Sequence, residues 1–100
     1  MNAKVSALAE AVLGRIPDFR HWVKGSSRGG RTGERYCVLG ALQEVAPNQE
    51  MANLFAKEFV AKADELFPSA VHWRDVPHFN DAAHIRYADV RTVLEKLRAG

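Results

Sequence analysis

Six side chains in this chain have the chemistry of a reactive site. Cys37 is the single cysteine; His72, His78 and His84 are possible bases; Asn80 and Asp81 are an amide and a carboxylate able to orient a base. A cysteine nucleophile needs a base, usually histidine, and a third group that holds the imidazole in place. The order Cys, His, Asn is compatible with that arrangement. Were Cys37 in the first turn of a helix, the macrodipole and nearby Arg35 would favour its thiolate. The competing reading is packing. Val38, Leu39 and Leu42 surround Cys37 in sequence, and free cysteines usually lie buried as small hydrophobes. Asn80-Asp81 is equally suited to an Asx turn or cap that accepts from free backbone N–H groups and ties its segment to the body of the fold. Cys37, His78, Asn80 and Asp81 are therefore the candidate catalytic set, with packing the preferred reading for each.

His72, Asp75, His78, Asp81 and His84 also fall at intervals of three. On a continuous helix they would line one side as metal ligands. Pro77 removes a donor in the middle, Phe79-Asn80 reads as a turn, and a structural zinc site more often shows paired Cys or Cys/His spacing. No metal and no cofactor are expected. A third chemistry lies in residues 24–35, where Lys24, Arg28, Arg31 and Arg35 stand against Glu34 among four glycines and two serines. Glycine backbone N–H groups can converge on an anion, and arginines pair with phosphate. The stretch lacks the Gly-Lys-Ser/Thr ending of a P-loop and has no aromatics between its arginines for base stacking. A solvated loop is the plainer reading, with phosphate or nucleic-acid binding through these four residues the functional one.

The elements that must hold these groups read as helices. Val5, Leu8, Val12 and Ile16 mark one apolar face over 2–15, with Asn2 as cap and Gly14 and Pro17 at its end. Residues 18–24 are a short helical turn or an extended piece. A short helix over 36–46, apolar almost all round, is the candidate centre of the fold. Asn48 caps a helix over 49–66, whose apolar face carries Met51, Leu54, Phe55, Phe59, Ala63 and Leu66. Residues 68–86 show no helical period; Val71 and Trp73 allow one short strand. Val90, Val93, Leu94 and Leu97 give a clear amphipathic helix over 88–98. The expectation is an all-α fold, a compact single domain of about four helices with two long irregular segments, 24–35 and 68–86.

Composition bounds the rest. One hundred residues, 47% apolar and 26% charged, describe one globular domain, and a net charge of +2 does not by itself imply a polyanion partner. One cysteine cannot form an internal disulfide. No secretory leader is readable, and the longest uncharged apolar stretch, Tyr36 to Leu42, is far too short to span a bilayer, so a cytoplasmic protein with no membrane partner is expected.

Trp22-Val23-Lys24-Gly25, then Cys37-Val38-Leu39-Gly40-Ala41-Leu42, then Phe79-Asn80-Asp81, then Asp89 to Leu94 form an ordered set over roughly residues 20–98. The set resembles a family of small uncharacterised domains of actinobacteria and their phages, marked by Trp-x-x-Gly, Cys-x-Leu-Gly-Ala-Leu and an aromatic-Asn-Asp step. That family usually places a threonine as cap before its last helix, where Tyr87 stands here. The resemblance implies fold kinship and an actinobacterial or phage source, and no activity. The functional expectation is a non-catalytic protein-binding or accessory protein with a protein partner of unknown identity. The alternatives are a phosphate or nucleic-acid binder using 24–35 and a hydrolase or transferase built on Cys37.

Overall fold

The computed structural model describes residues 2–26, 28–30 and 33–100. Helix α1, Ala3–Arg15, starts where the Asn2 side chain accepts from Lys4 N at 2.8 Å, and it buries Val5, Leu8, Ala9, Val12 and Leu13. Its most extensive packing is on the last helix, α5, Tyr87–Ala99, which buries Val90, Val93, Leu94 and Leu97. Polar ties fix that pair. Ser6 Oγ donates to Arg98 O, the Tyr87 hydroxyl donates to Ile16 O, and the Arg91 guanidinium donates to Pro17 O. The N-cap of α5 is Arg86, with Tyr87 as its first helical residue. Arginine has no acceptor to offer the helix, so the cap works in one direction only, Arg86 N donating to Asp89 Oδ2 at 2.9 Å.

Helix α2, Val38–Val45, packs against α1 and α3, where α3 is Gln49–Leu66 and begins as Asn48 accepts from Met51 N. Phe55 and Phe59 of α3 are fully buried, each worth about 1.5–3 kcal/mol of hydrophobic stabilisation. The expected all-α architecture and its four helices are present around one core. α2 buries Val38, Gly40, Ala41 and Leu42, although the closest-knit pairing in the fold is α1 on α5.

Two segments read as irregular carry structure. Within 68–86 a six-residue helix, α4, spans Val76–Asp81; among the described residues no strand forms at Val71 or Trp73. Asp75 caps α4, accepting from His78 N at 2.8 Å, and Pro77 lies within the first turn, where its missing N–H has no intrahelical role. Phe79-Asn80 is thus helix rather than turn. Val76, Phe79 and Asn80 are the buried i, i+3, i+4 set, and a polar residue in that stripe hides the period. Six residues cannot hold a helix unaided; Phe79 supplies the anchor, edge-on to Phe59 at 5.7 Å and to Trp73 at 5.1 Å. Trp73 is itself fixed, its indole donating to Phe67 O and its backbone N–H to Asp64 Oδ1.

Within 24–35 a two-residue strand, β1, Arg28–Gly29, pairs antiparallel with β2, Arg35–Tyr36. Before it, residues 19–21 form a 3-10 turn capped by Asp18, and the chain then runs extended so that Val23 N donates to Tyr36 O. The ambiguous 18–24 stretch is therefore a helical turn followed by extended chain.

Candidate functional site

The sequence words that carry chemistry meet at one place, the junction of the α2 N-terminus, α4 and residues 22–25. Asn80 is its hub and is completely buried. Its Oδ1 accepts from the Trp22 indole N–H at 2.7 Å and from Val38 N, the first N–H of α2, at 3.1 Å. Its Nδ2 donates to Val23 O at 3.1 Å and to Asp81 Oδ1 at 2.8 Å. An amide side chain has two acceptor sites and two donors, and all four are taken. Asp81 Oδ1 also accepts from Gly25 N at 2.9 Å, where a φ of +75° suits glycine and strains any other residue. Lys24 Nζ closes the set by donating to Ala82 O at 2.7 Å, its ammonium 5.6 Å from the centre of the Trp22 ring.

Cys37 is the N-cap of α2, one residue before its first turn. Its Sγ accepts from Gly40 N at 3.3 Å while Asn80 takes Val38 N, so two of the orphan donors of α2 are satisfied. The helix-terminal thiolate considered from sequence is overridden by burial. Cys37 is 5% exposed, and desolvation, joined by the nearby Asp81 carboxylate, raises the thiol above its ordinary value despite the backbone N–H groups that favour the thiolate. It is a protonated thiol at neutral pH.

The histidines do not join it. His78 Nδ1 accepts from Arg74 N at 3.0 Å, so in the neutral ring the proton sits on Nε2, which is then a donor and no base. Its ring lies edge-on to Trp73, and His84 stacks on the same indole. His72 is 93% exposed and faces Asp64. Asp75 is occupied by its cap. The interval of three therefore scatters in space, and among the described residues no three His, Cys, Asp or Glu side chains gather as metal ligands.

The basic stretch is also divided. In the β1–β2 register Arg28 sits opposite Tyr36 and Gly29 opposite Arg35, so the two arginines project from opposite faces of the ribbon. Arg28 lies over the Tyr36 ring at 5.0 Å, donates to Gly33 O and approaches Glu44 at 3.9 Å. Lys24 belongs to the clamp, Arg35 is exposed, and Arg31 lies outside the described residues.

Away from these groups lies a feature with no chemical signature in the sequence. An open groove of about 420 Å³ lies between the first two turns of α1 and the start of α3, lined by the apolar Ala7, Leu8, Pro47 and Met51 and by Lys4 and Asn48. A more polar depression lined by Gln43, Ala46, Gln49 and Ala52 shares Asn48 with it. Exposed apolar positions such as Ala7 and Pro47 carry no periodic signal, so sequence reasoning missed them.

The model of a protein family of unknown function, DUF6197, matches residues 1–99. The chain belongs to that family. No curated protein and no solved structure matches it. In this DUF6197 domain, Trp22–Gly25, the Cys37–Val38 start of α2 and Asn80–Asp81 meet in one hydrogen-bonded clamp. Among the described residues no helix is long and apolar enough to cross a membrane.

Proposed function

We propose that the protein is a non-catalytic binding or accessory module that meets a protein partner through the groove between α1 and α3. The observation that carries this reading is the division of labour just described. Asn80 has all its hydrogen-bonding capacity satisfied internally, Cys37 is a buried protonated thiol, and the open apolar surface lies elsewhere. Concave apolar surface with a few polar rim groups is the usual form of a binding site. The actinobacterial or phage setting and a cytoplasmic location, the host's if phage-encoded, belong to the same proposal.

A photo-reactive residue substituted for Ala7 tests it in lysate of the source cell, with the same residue at Arg35 as the control. The reading expects one protein to be captured from position 7, with capture unchanged by nuclease. Capture only from position 35, lost on nuclease treatment or in high salt, would favour phosphate or nucleic-acid binding by Lys24, Arg28, Arg31 and Arg35 instead. The divergence of Arg28 and Arg35 gives that alternative less support. A Cys37-dependent hydrolase or transferase has less still, since no histidine base faces the thiol among the described contacts.

A further inference from the structure

We infer that the groove takes a peptide segment of the partner that seats one bulky apolar side chain between Leu8 and Met51 and places a carboxylate against Lys4; this rests on the binding-module reading above. Three features define the occupant. The first is shape: Asn48 lines both the apolar groove and the more polar depression bearing Gln43 and Gln49, so a peptide seated in the groove would lie beside side-chain amides able to bond its backbone. The second is adaptability: Met51, half-buried on the floor, is unbranched and can repack around different apolar side chains.

The third is charge. Lys4 is the second residue of α1, at the positive end of the macrodipole, and the first turn of α1 carries no acidic residue. A lysine there opposes its own helix, where Asp or Glu would be favoured. Glu50, in the first turn of α3, does not line the groove. The rim therefore presents an ammonium and a helix dipole of the same sign beside an apolar floor. A local rule broken at the edge of a groove is expected where function opposes stability. The complementary ligand is apolar with an acidic neighbour.

The test is to pan a randomised peptide library on the whole protein, synthesise an enriched peptide, and measure its binding to wild type, Lys4→Glu, Ala7→Trp and Arg28→Ser/Arg35→Ser. Enriched peptides should share a bulky apolar residue with Asp or Glu within one helical turn. Lys4→Glu should weaken binding about five- to ten-fold while its thermal midpoint holds or rises, because the new carboxylate suits the helix end. Ala7→Trp should abolish binding by filling the groove, and the hairpin pair should bind as wild type. Equal affinity for Lys4→Glu, enriched peptides with no acidic residue, or no enrichment would overturn the acidic-apolar occupant. In the first two cases, loss of binding in Ala7→Trp keeps the groove as the binding surface. Full binding by Ala7→Trp, or loss of binding confined to the hairpin pair, would overturn the groove as well.

Discussion

At the Asn80 end of the molecule a buried amide has a partner for each of its four hydrogen-bonding sites, supplied by Trp22, Val23, Val38 and Asp81. At the Lys4 end an exposed ammonium sits against the unfavourable end of its own helix, beside apolar side chains that none of the described residues covers fully. The first region resolves every polar demand and holds three non-contiguous segments together. The second leaves a charge and an apolar floor unresolved. The contrast separates two properties that sequence reading joins: residues with reactive chemistry are not for that reason at a reactive site. Here Cys37, Asn80 and Asp81 are the internal fastening of a domain in which α4 and residues 22–25 have little regular structure of their own.

The contrast is broken most sharply at Asn80. In Asn80→Ala the buried Val38 N and the part-buried Trp22 indole and Val23 O lose their partners, each worth about 1–3 kcal/mol and not fully additive, so urea unfolding should show a loss of about 3–5 kcal/mol. For a domain whose total stability is on the order of 5–15 kcal/mol that is near the limit of folding. Asn80→Asp should fare no better, because an oxygen would then face both Val23 O and the Asp81 carboxylate. A loss below about 1 kcal/mol in both would mean that the clamp is dispensable.

A smaller effect is expected at Cys37. Removing the cap in Cys37→Ala should lower stability by about 1 kcal/mol in the same assay, and Cys37→Ser should recover part of it, since a hydroxyl can still accept from Gly40 N. The thiol also sets an alkaline limit. Its folded-state pKa is raised, so its contribution is complete below the pKa of the unfolded thiol and is lost as pH rises through that value towards the folded one. Wild type should therefore lose more stability than Cys37→Ala between neutral and alkaline pH.

Substitution at the other end should have the opposite sign. Lys4→Glu is expected to stabilise by about 0.3–1 kcal/mol, read as a higher urea midpoint, because the charge then suits the start of α1. The smallest effect is at Asp18, outside both regions. Hydrogen bonds from His21 above all, and from Arg20, hold its carboxyl down to about 2. That contribution is present above the ordinary carboxylate value and is lost as pH falls through about 2. Asp18→Asn should be slightly less stable than wild type at neutral pH, and the difference should close in strong acid.

Much of the fold was legible because it rests on long apolar stripes. Val90, Val93, Leu94 and Leu97 mark α5, and Asn48 with the Phe55–Phe59 face marks α3 between bounds the structure reproduces. α4 escaped notice because Asn80, a polar residue, holds one of its three buried positions, and because Pro77 signals a break when it occurs anywhere but the first turn. The hairpin escaped because two-residue strands have no period to read. The clamp was half legible. The capping chemistry of Asn80-Asp81 was apparent, but its partners at Trp22, Gly25 and Val38 are more than forty positions away, and sequence spacing carries no sign of them. The groove has no signal of its own, since exposed Ala7 and Pro47 look the same whether or not anything faces them.

The most direct measurement is the rate at which a thiol reagent labels Cys37 across a urea series, in wild type and in Asn80→Ala. If Cys37 and Asn80 form one structural clamp, native wild type labels only through global unfolding, the rate rises with urea as the unfolding equilibrium does, and Asn80→Ala speeds labelling by about a hundred-fold or more, the factor set by its lost stability. Rapid labelling in native buffer that responds neither to urea nor to Asn80→Ala would contradict this, and would show Cys37 to be an accessible, reactive thiol.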